Sequence, residues 1–175
     1  MGGTESQCQV GESGRAGWDG YAGSNIQNRV VVFALDDQRY GLPLFAVERV
    51  ARMVDVTPLP RAPDIVLGVV NVRGQVIPVL NLRRRFGLPE RDIALADQLV
   101  IARTARRPVA LAADAVAGVL EYSAQQTVEA RDIVPGIEYV EGVIKLGDGL
   151  VLIHDLDKFL SLEEETALER AIESA

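Results

Sequence analysis

One cysteine, one histidine and one tryptophan are all that 175 residues carry of these three side chains, and each shortage removes a class of chemistry. Cys8 has no intrachain disulfide partner and no second thiolate to share a metal, so it reads as chemically idle. With His154 as the single imidazole there is no H-E-x-x-H pair, and the chain also lacks a G-x-S-x-G elbow and a G-x-x-x-x-G-K-[ST] phosphate loop. His154 ends an apolar run, where a structural histidine is favoured over a catalytic base. The carboxylates of "DLDK" (155–158) and "LEEE" (162–165) match no calcium-loop spacing and suit the start of a helix. The sequence therefore predicts no catalytic residue, no metal and no cofactor. No window reaches the roughly 18 uninterrupted apolar residues of a membrane span, and the first residues lack the basic-then-apolar layout of a secretory signal. A soluble, cytoplasmic protein without direct membrane insertion is expected.

Hydrophobic residues still make up 48% of the chain, enough to fill a core. The net charge of −7 is unevenly spread: residues 29–112 hold thirteen basic and eight acidic side chains, residues 113–175 four and fourteen. A basic middle and an acidic end lean against a general nucleic-acid binder and suit two differently charged faces. The cluster Arg83, Arg84, Arg85 has no interleaved aromatics for base stacking, and on a helical turn it would point in several directions; it reads as a solvated face. A nucleic-acid-binding small barrel is kept only as a remote alternative.

Residues 1–28, rich in Gly and Ser with isolated aromatics, show no apolar period and read as a disordered tail, leaving 29–175 as the folded part. "RVVVFALD" (29–36) and "RYGLPL" read as a hairpin, and "FAVERVAR" (45–52) as one helical turn before Pro58 and Pro60. "GVVNVRGQVIPVLNLRRRF" (68–86) aligns without a gap to "GVIKLGDGLVLIHDLDKFL" (142–160), pairing Gly68 with Gly142 and Leu82 with Leu156. Each copy reads as a hairpin and a capped helical turn, with Asn81 and Asp155 as caps. Pro78 places its strand at an edge, a bulge or a barrel corner. Strands follow at "DQLVIARTA", "RPVALAAD" and "AVAGVLEY", then the long irregular "SAQQTVEARDIVPGIEYVE". Ser161 and Glu164 form a capping box for a final helix over about 162–173, with Leu168 and Ile172 inward. Many short strands and few short helices argue for a mainly β fold, each hairpin copy belonging to its own small barrel. Arg73, beside the turn glycine Gly74, is either a bidentate partner for a carboxylate or a merely exposed turn arginine.

The order of "VVFALDDQRYGLPLFAVERV", "LPRAPDIVLGVVNVRGQVIPVLNLRRRFG", "QLVIARTARRPVALAADAVAGVLE" and "YVEGVIKLGDGLVLIHDLDKFLSLEE" resembles the CheW family of chemotaxis coupling proteins, over about 29–166. The most specific element is the G-x-x-N-x-R-G-x-x-I-P-V-x-x-L run at 68–82. The resemblance implies two intertwined five-stranded, SH3-like β-barrels packed together. It also implies a non-catalytic adaptor joining the regulatory domain of a CheA-type histidine kinase to the cytoplasmic tip of a chemoreceptor, recruited to receptor arrays at the inner face of the membrane. On that basis the partner-binding residues are Val47, Glu48 and Arg49 in the V-x-E-[IV] segment and Asn71, Arg73 and Gly74 at the hairpin tip, with Gly68 and Gly142 as structural turn glycines. Asp114, Val116 and Val119 match the D-x-V-x-x-V pattern, the valines as core or groove wall. Two positions depart from the family: Arg49 stands where a glutamate is usual, and Asn81 where an aspartate is. An Arg49–Arg73 pair would repel, leaving Glu48 to take the glutamate's part. The departure opens a second reading, a scaffold in a type IV pilus or developmental pathway.

Overall fold

Short β-branched runs separated by turn residues have few ways to satisfy their backbone except by pairing with one another. The computed structural model describes residues 28–132 and 139–175. They form β1 (Arg29–Leu35), β2 (Gln38–Pro43), β3 (Val47–Arg52), β4 (Val66–Val72), β5 (Gln75–Leu80), α1 (Leu82–Phe86), β6 (Gln98–Arg103), β7 (Pro108–Ala113), β8 (Ala115–Glu121), β9 (Thr127–Glu129), β10 (Val140–Leu146), β11 (Gly149–His154) and α2 (Leu162–Glu173). The tail expected at 1–28, with Cys8, lies outside the described residues apart from Asn28, as do residues 133–138 of the irregular segment.

Two sheets result, ordered β8-β1-β2-β11-β10-β9 and β3-β6-β7-β5-β4. The first is built from both ends of the chain and the second from its middle. After the β1–β2 hairpin the chain crosses to the other sheet through Leu44–Ala46, and after β6–β7 it crosses back through Asp114 alone. Each barrel thus holds strands from both halves of the chain.

Register shows the duplication to be wider than the two hairpins. Val32 opposes Gly41 and Gly118, while Ile101 opposes Ala110 and Arg49. A shift of 69 positions, as from Val50 to Val119, carries β1, β2 and β3 onto β6, β7 and β8. The hairpin shift of 74, as from Gly68 to Gly142, carries β4 and β5 onto β10 and β11, and even the bulges repeat: Val66/Gly68 and Val140/Gly142, Val47/Arg49 and the β8 side of Val32/Phe33. Parallel pairing of β5 with β7 recurs as β11 with β2.

Alternation sorts the apolar side chains. On β6, Leu99 and Ile101 enter a cluster with Val70, Ile77 and Val79 inside one barrel; on β1, Val30 and Val32 join Ile144 and Val151 inside the other. The opposite faces of the same strands, Phe33 and Leu35 from β1 and Val100 and Ala102 from β6, meet in the largest cluster, between the sheets. Leu82 and Leu156, the paired leucines of the repeat, are both buried in it.

The caps stand as expected: Asn81 Oδ1 accepts from Arg84 N at 3.2 Å, Asp155 Oδ1 from Asp157 N at 3.1 Å, and Ser161 and Glu164 close a capping box. In α2, Leu168 is fully buried and Ile172 half-buried beside buried Ala171.

Three expectations are corrected. The segment 45–52 is not a helical turn: only Leu44–Ala46 coil, and Val47–Arg52 pair with β6, where Val47 and Val50 suit a pleated edge. Pro78 lies in an interior strand rather than at an edge. Val69, its partner across the hairpin, spends its N–H and C=O on Thr57, so that pair is a non-hydrogen-bonded one and the proline nitrogen faces β7, whose ladder takes only Val79 and Leu80. The irregular segment contains β9, paired with β10.

Candidate docking surfaces

The β4–β5 tip is a two-residue turn with Arg73 at φ 54° and Gly74 at φ 84°, the backbone of a type I′ hairpin. Asn71 Oδ1 accepts the Gly74 N–H at 2.9 Å and fixes that turn. Arg73 is exposed, and among the described residues no ion pair or hydrogen bond engages it. Gly74 has open space around it, so backbone angle alone calls for glycine there. Gly68 and Gly142 do not shape the turns. Both lie at the strand bulges, where a Cβ on Gly68 would collide with the Thr57 carbonyl and one on Gly142 would meet the Val128 carbonyl at 3.3 Å. The glycines serve a close approach of a third strand rather than the tip.

On β3, Val47 is half-buried against the intersheet cluster, Glu48 occupies the bulge and pairs with Arg103 at 2.7 Å, and Arg49 is half-buried opposite Ile101. The sheet order puts β3 and β4 on opposite edges, with β6, β7 and β5 between. Glu48 therefore takes no part in meeting Arg73; its partner is Arg103.

The same register exposes residues that the motif did not mark. Val50 opposes Val100 and so lies on the face toward the intersheet cluster, yet it is 39% exposed. Its equivalent Val119, opposite Val31, is 58% exposed, and Val47 and Val116, also equivalent, both pack on that cluster. Each barrel thus presents one edge strand with an apolar side chain at the margin of the core between the sheets. The signal was present in the sequence as two V-x-x-V spacings, but only strand register relates them.

Arg83, Arg84 and Arg85 are not a solvated face. Arg83 is buried and chelates Asp36 at 2.8 and 2.9 Å while reaching Asp114 at 2.7 Å; Arg84 pairs with Glu90, and Arg85 with Glu164 of α2 at 2.6 Å. Arg91 extends the network from Asp114 to Asp97. Bonding to Arg83 holds the Asp36 carboxyl below its usual range. Burial works against the Asp114 charge, but the Asp36 amide, Arg83 and Arg91 together outweigh it and its pKa is also lowered. Asp36 belongs to one barrel and Arg83 to the helical turn of the other, so the network clamps the two. The equivalent contact in the repeat is plainer: Asp157 accepts the Ala105 N–H at 2.7 Å.

His154 is buried among Tyr40, Phe86, Tyr139 and Phe159, with ring centroids 4.5 to 5.8 Å away. Neither ring nitrogen finds a hydrogen-bond partner, and burial pushes its pKa down to about 3. A neutral imidazole walled in by aromatic rings packs; it cannot reach a substrate. Among the described residues no three potential metal ligands converge, and no helix is long and apolar enough to cross a membrane.

A sequence model of the CheW-like domain matches residues 29–164. The chain belongs to the CheW family. It is 30% identical to the chemotaxis protein CheW of Treponema pallidum over 144 residues, covering 79% of this chain and 85% of that one. It is 31% identical to protein FrzA of Myxococcus xanthus over 147 residues, covering 80% and 87%. Among solved structures, the scaffolding protein TtCheW of Thermoanaerobacter tengcongensis superposes with a TM-score of 0.71 at 28% identity, over 78% of this chain and 94% of that chain. As a CheW-family member the protein is a chemotaxis-type scaffold rather than an enzyme, and its two packed β-sheets match the SH3-like pair of that relative.

Proposed function

We propose that this CheW-family scaffold couples the cytoplasmic tip of a methyl-accepting chemoreceptor to the regulatory domain of a CheA-type histidine kinase, in the cytoplasm, at receptor arrays. The observation that carries the reading is the pairing of an unengaged Arg73 on a fixed hairpin tip with apolar edge strands at the intersheet margin, in a CheW-family fold. A rigid guanidinium favours a carboxylate on a partner, and exposed Val50 and Val119 favour an apolar helix face. Asn71 and Gly74 present Arg73, while Glu48 and Arg49 flank Val50 on β3. Modest single contacts suffice where an array multiplies them.

The test is calorimetric titration of the purified protein with a kinase regulatory domain and with a receptor tip fragment. Arg73→Glu and Val50→Asp are each expected to weaken binding to at least one of them by about tenfold. Unchanged affinity for both partners in both variants removes these residues from the interfaces. Val47→Asp is a poorer probe, because Val47 packs on the intersheet core and its loss would be felt as instability.

The likeness to FrzA favours a second reading, a CheW-type scaffold outside flagellar chemotaxis. Capture by one kinase out of several from the same cell separates the two. Nucleic-acid binding finds no support here, since the Arg83 to Arg85 guanidinium groups are committed to carboxylates within the fold.

A further inference from the structure

The two copies of the hairpin-and-turn unit end differently. In the first, Gly87 closes α1 at φ 67° and the Leu88 N–H donates to the Arg83 carbonyl at 2.8 Å, which turns Leu88 back onto the intersheet cluster. Phe86 lies against His154 there, ring centroids 4.5 Å apart. In the second copy Ser161 takes the place of Gly87. Its side chain accepts the Glu164 N–H at 3.1 Å and starts a new helix, so Leu162, the equivalent of Leu88, becomes the first residue of α2 and is 69% exposed. Leu160, a smaller side chain in the position of Phe86, joins buried Leu80 and Leu156 in lining a groove of about 260 Å³. Leu162 and the exposed Arg106 line it too.

We propose that this groove receives Leu162 of a second copy of the chain, giving a symmetric dimer in which Arg106 of each copy pairs with Glu163 of the other. Knob and hole lie on one surface, as a two-fold contact demands: an axis passing beside Leu162 seats both leucines at once. Charge complementarity singles out this occupant. The groove's other charged groups are spent within the fold, Glu165 on Arg107 at 2.7 Å and Asp157 on the Ala105 N–H at 2.7 Å. Among the described residues, neither the Arg106 guanidinium nor the Glu163 carboxylate has an ion pair or a hydrogen bond. Glu163 follows Leu162 in the chain, so seating the leucine carries an uncommitted carboxylate to an uncommitted guanidinium. A leucine also suits a lining of leucines, where a polar insert would lose its water without return. One leucine and one ion pair a side bury less than the roughly 800 Å² per partner of a stable interface, so the association is weak and reversible.

Sedimentation equilibrium of the full chain, from about 10 μM to about 1 mM, tests this, and a reversible monomer–dimer equilibrium is expected within that range. Leu162→Asp should weaken it at least about tenfold, and Arg106→Glu and Glu163→Arg about tenfold each, while the double charge reversal should recover most of the loss. All three positions are exposed, so the circular dichroism spectrum and unfolding midpoint should stay unchanged. A chain still monomeric at about 1 mM overturns the proposal. So does a dimer that survives Leu162→Asp, or one that the double reversal fails to restore. Loss of kinase-domain binding in Leu162→Asp, with no dimer in the unaltered protein, assigns the groove to that partner and overturns it equally.

Discussion

The two hairpin tips of the duplication have the same register, the same bulge and the same parallel neighbour on their second strand, yet they end in opposite states. At the β10–β11 tip, Asp148 is held by Arg39 of β2 at 3.1 and 3.2 Å, so the tip is sealed onto its own sheet. At the β4–β5 tip, Arg73 stands clear. Duplication supplied the scaffold twice, and the charged residue in each turn decided whether that scaffold closes on itself or faces outward. The difference singles out the Arg73 tip as the candidate docking point, because shared features are what the barrel needs in order to fold.

The largest asymmetry that substitution can reveal lies at the bulge glycines. Gly68→Ala forces a Cβ into the Thr57 carbonyl at φ 153° and is expected to cost about 3 kcal/mol or more, whereas Gly142→Ala, facing a carbonyl at 3.3 Å, should cost about 1 kcal/mol. Denaturant unfolding of both variants checks the ratio; equal losses would mean that the two bulges are interchangeable.

Next is the exchange of Leu80 and His154, equivalent positions on β5 and β11. His154→Leu removes two unpaired buried nitrogens and should stabilise the fold by about 1 kcal/mol at neutral pH, while Leu80→His should destabilise it by about 2 kcal/mol. A pH series adds a second reading. His154 titrates near 3 when folded and about 6.5 when unfolded, so between those values the unfolded chain binds more protons. Stability should therefore fall as pH drops from about 6.5 toward 3, and His154→Leu should flatten that slope. The clamp carboxylates Asp36 and Asp114, whose pKa values are lowered, hold their stabilisation above about pH 4 and lose it only below. Their contribution persists in the His154→Leu variant, at the acid end of the same curve.

The smallest effects belong to the tips. Asp148→Ala should lower the unfolding midpoint slightly by releasing Arg39, and Arg73→Ala should leave it unchanged. A measurable loss of stability in Arg73→Ala would show that this tip is structural after all.

Much of this architecture was legible in the chain because local signals agreed. The hairpins, the caps at Asn81, Asp155 and Ser161, and the closing glycine at 87 each rest on residues a few positions apart. What stayed hidden depends on distant pairing. Val47 to Arg52 offers too few residues to tell a turn of helix from an edge strand until β6 lies beside it. The partners of Arg83 and Arg85 are 47 and 79 positions away, so a run of three arginines reads as surface. The β1–β3 duplication keeps scattered identities, among them Val47 with Val116 and Val50 with Val119, which stand out only once strand register relates the two copies. Of the site residues, Asn71, Arg73 and Gly74 form one unit, whereas the link between Glu48 and Arg73 does not exist.

The crossings between the sheets, three residues after β2 and one after β7, carry a mechanical consequence. Neither barrel is one continuous stretch of chain, so prising the pair apart would pull through two short links on the edge strands β3 and β8. Such a body resists bending about its waist. A partner bound to one barrel would find the other held beside it by two short covalent links and a shared apolar core.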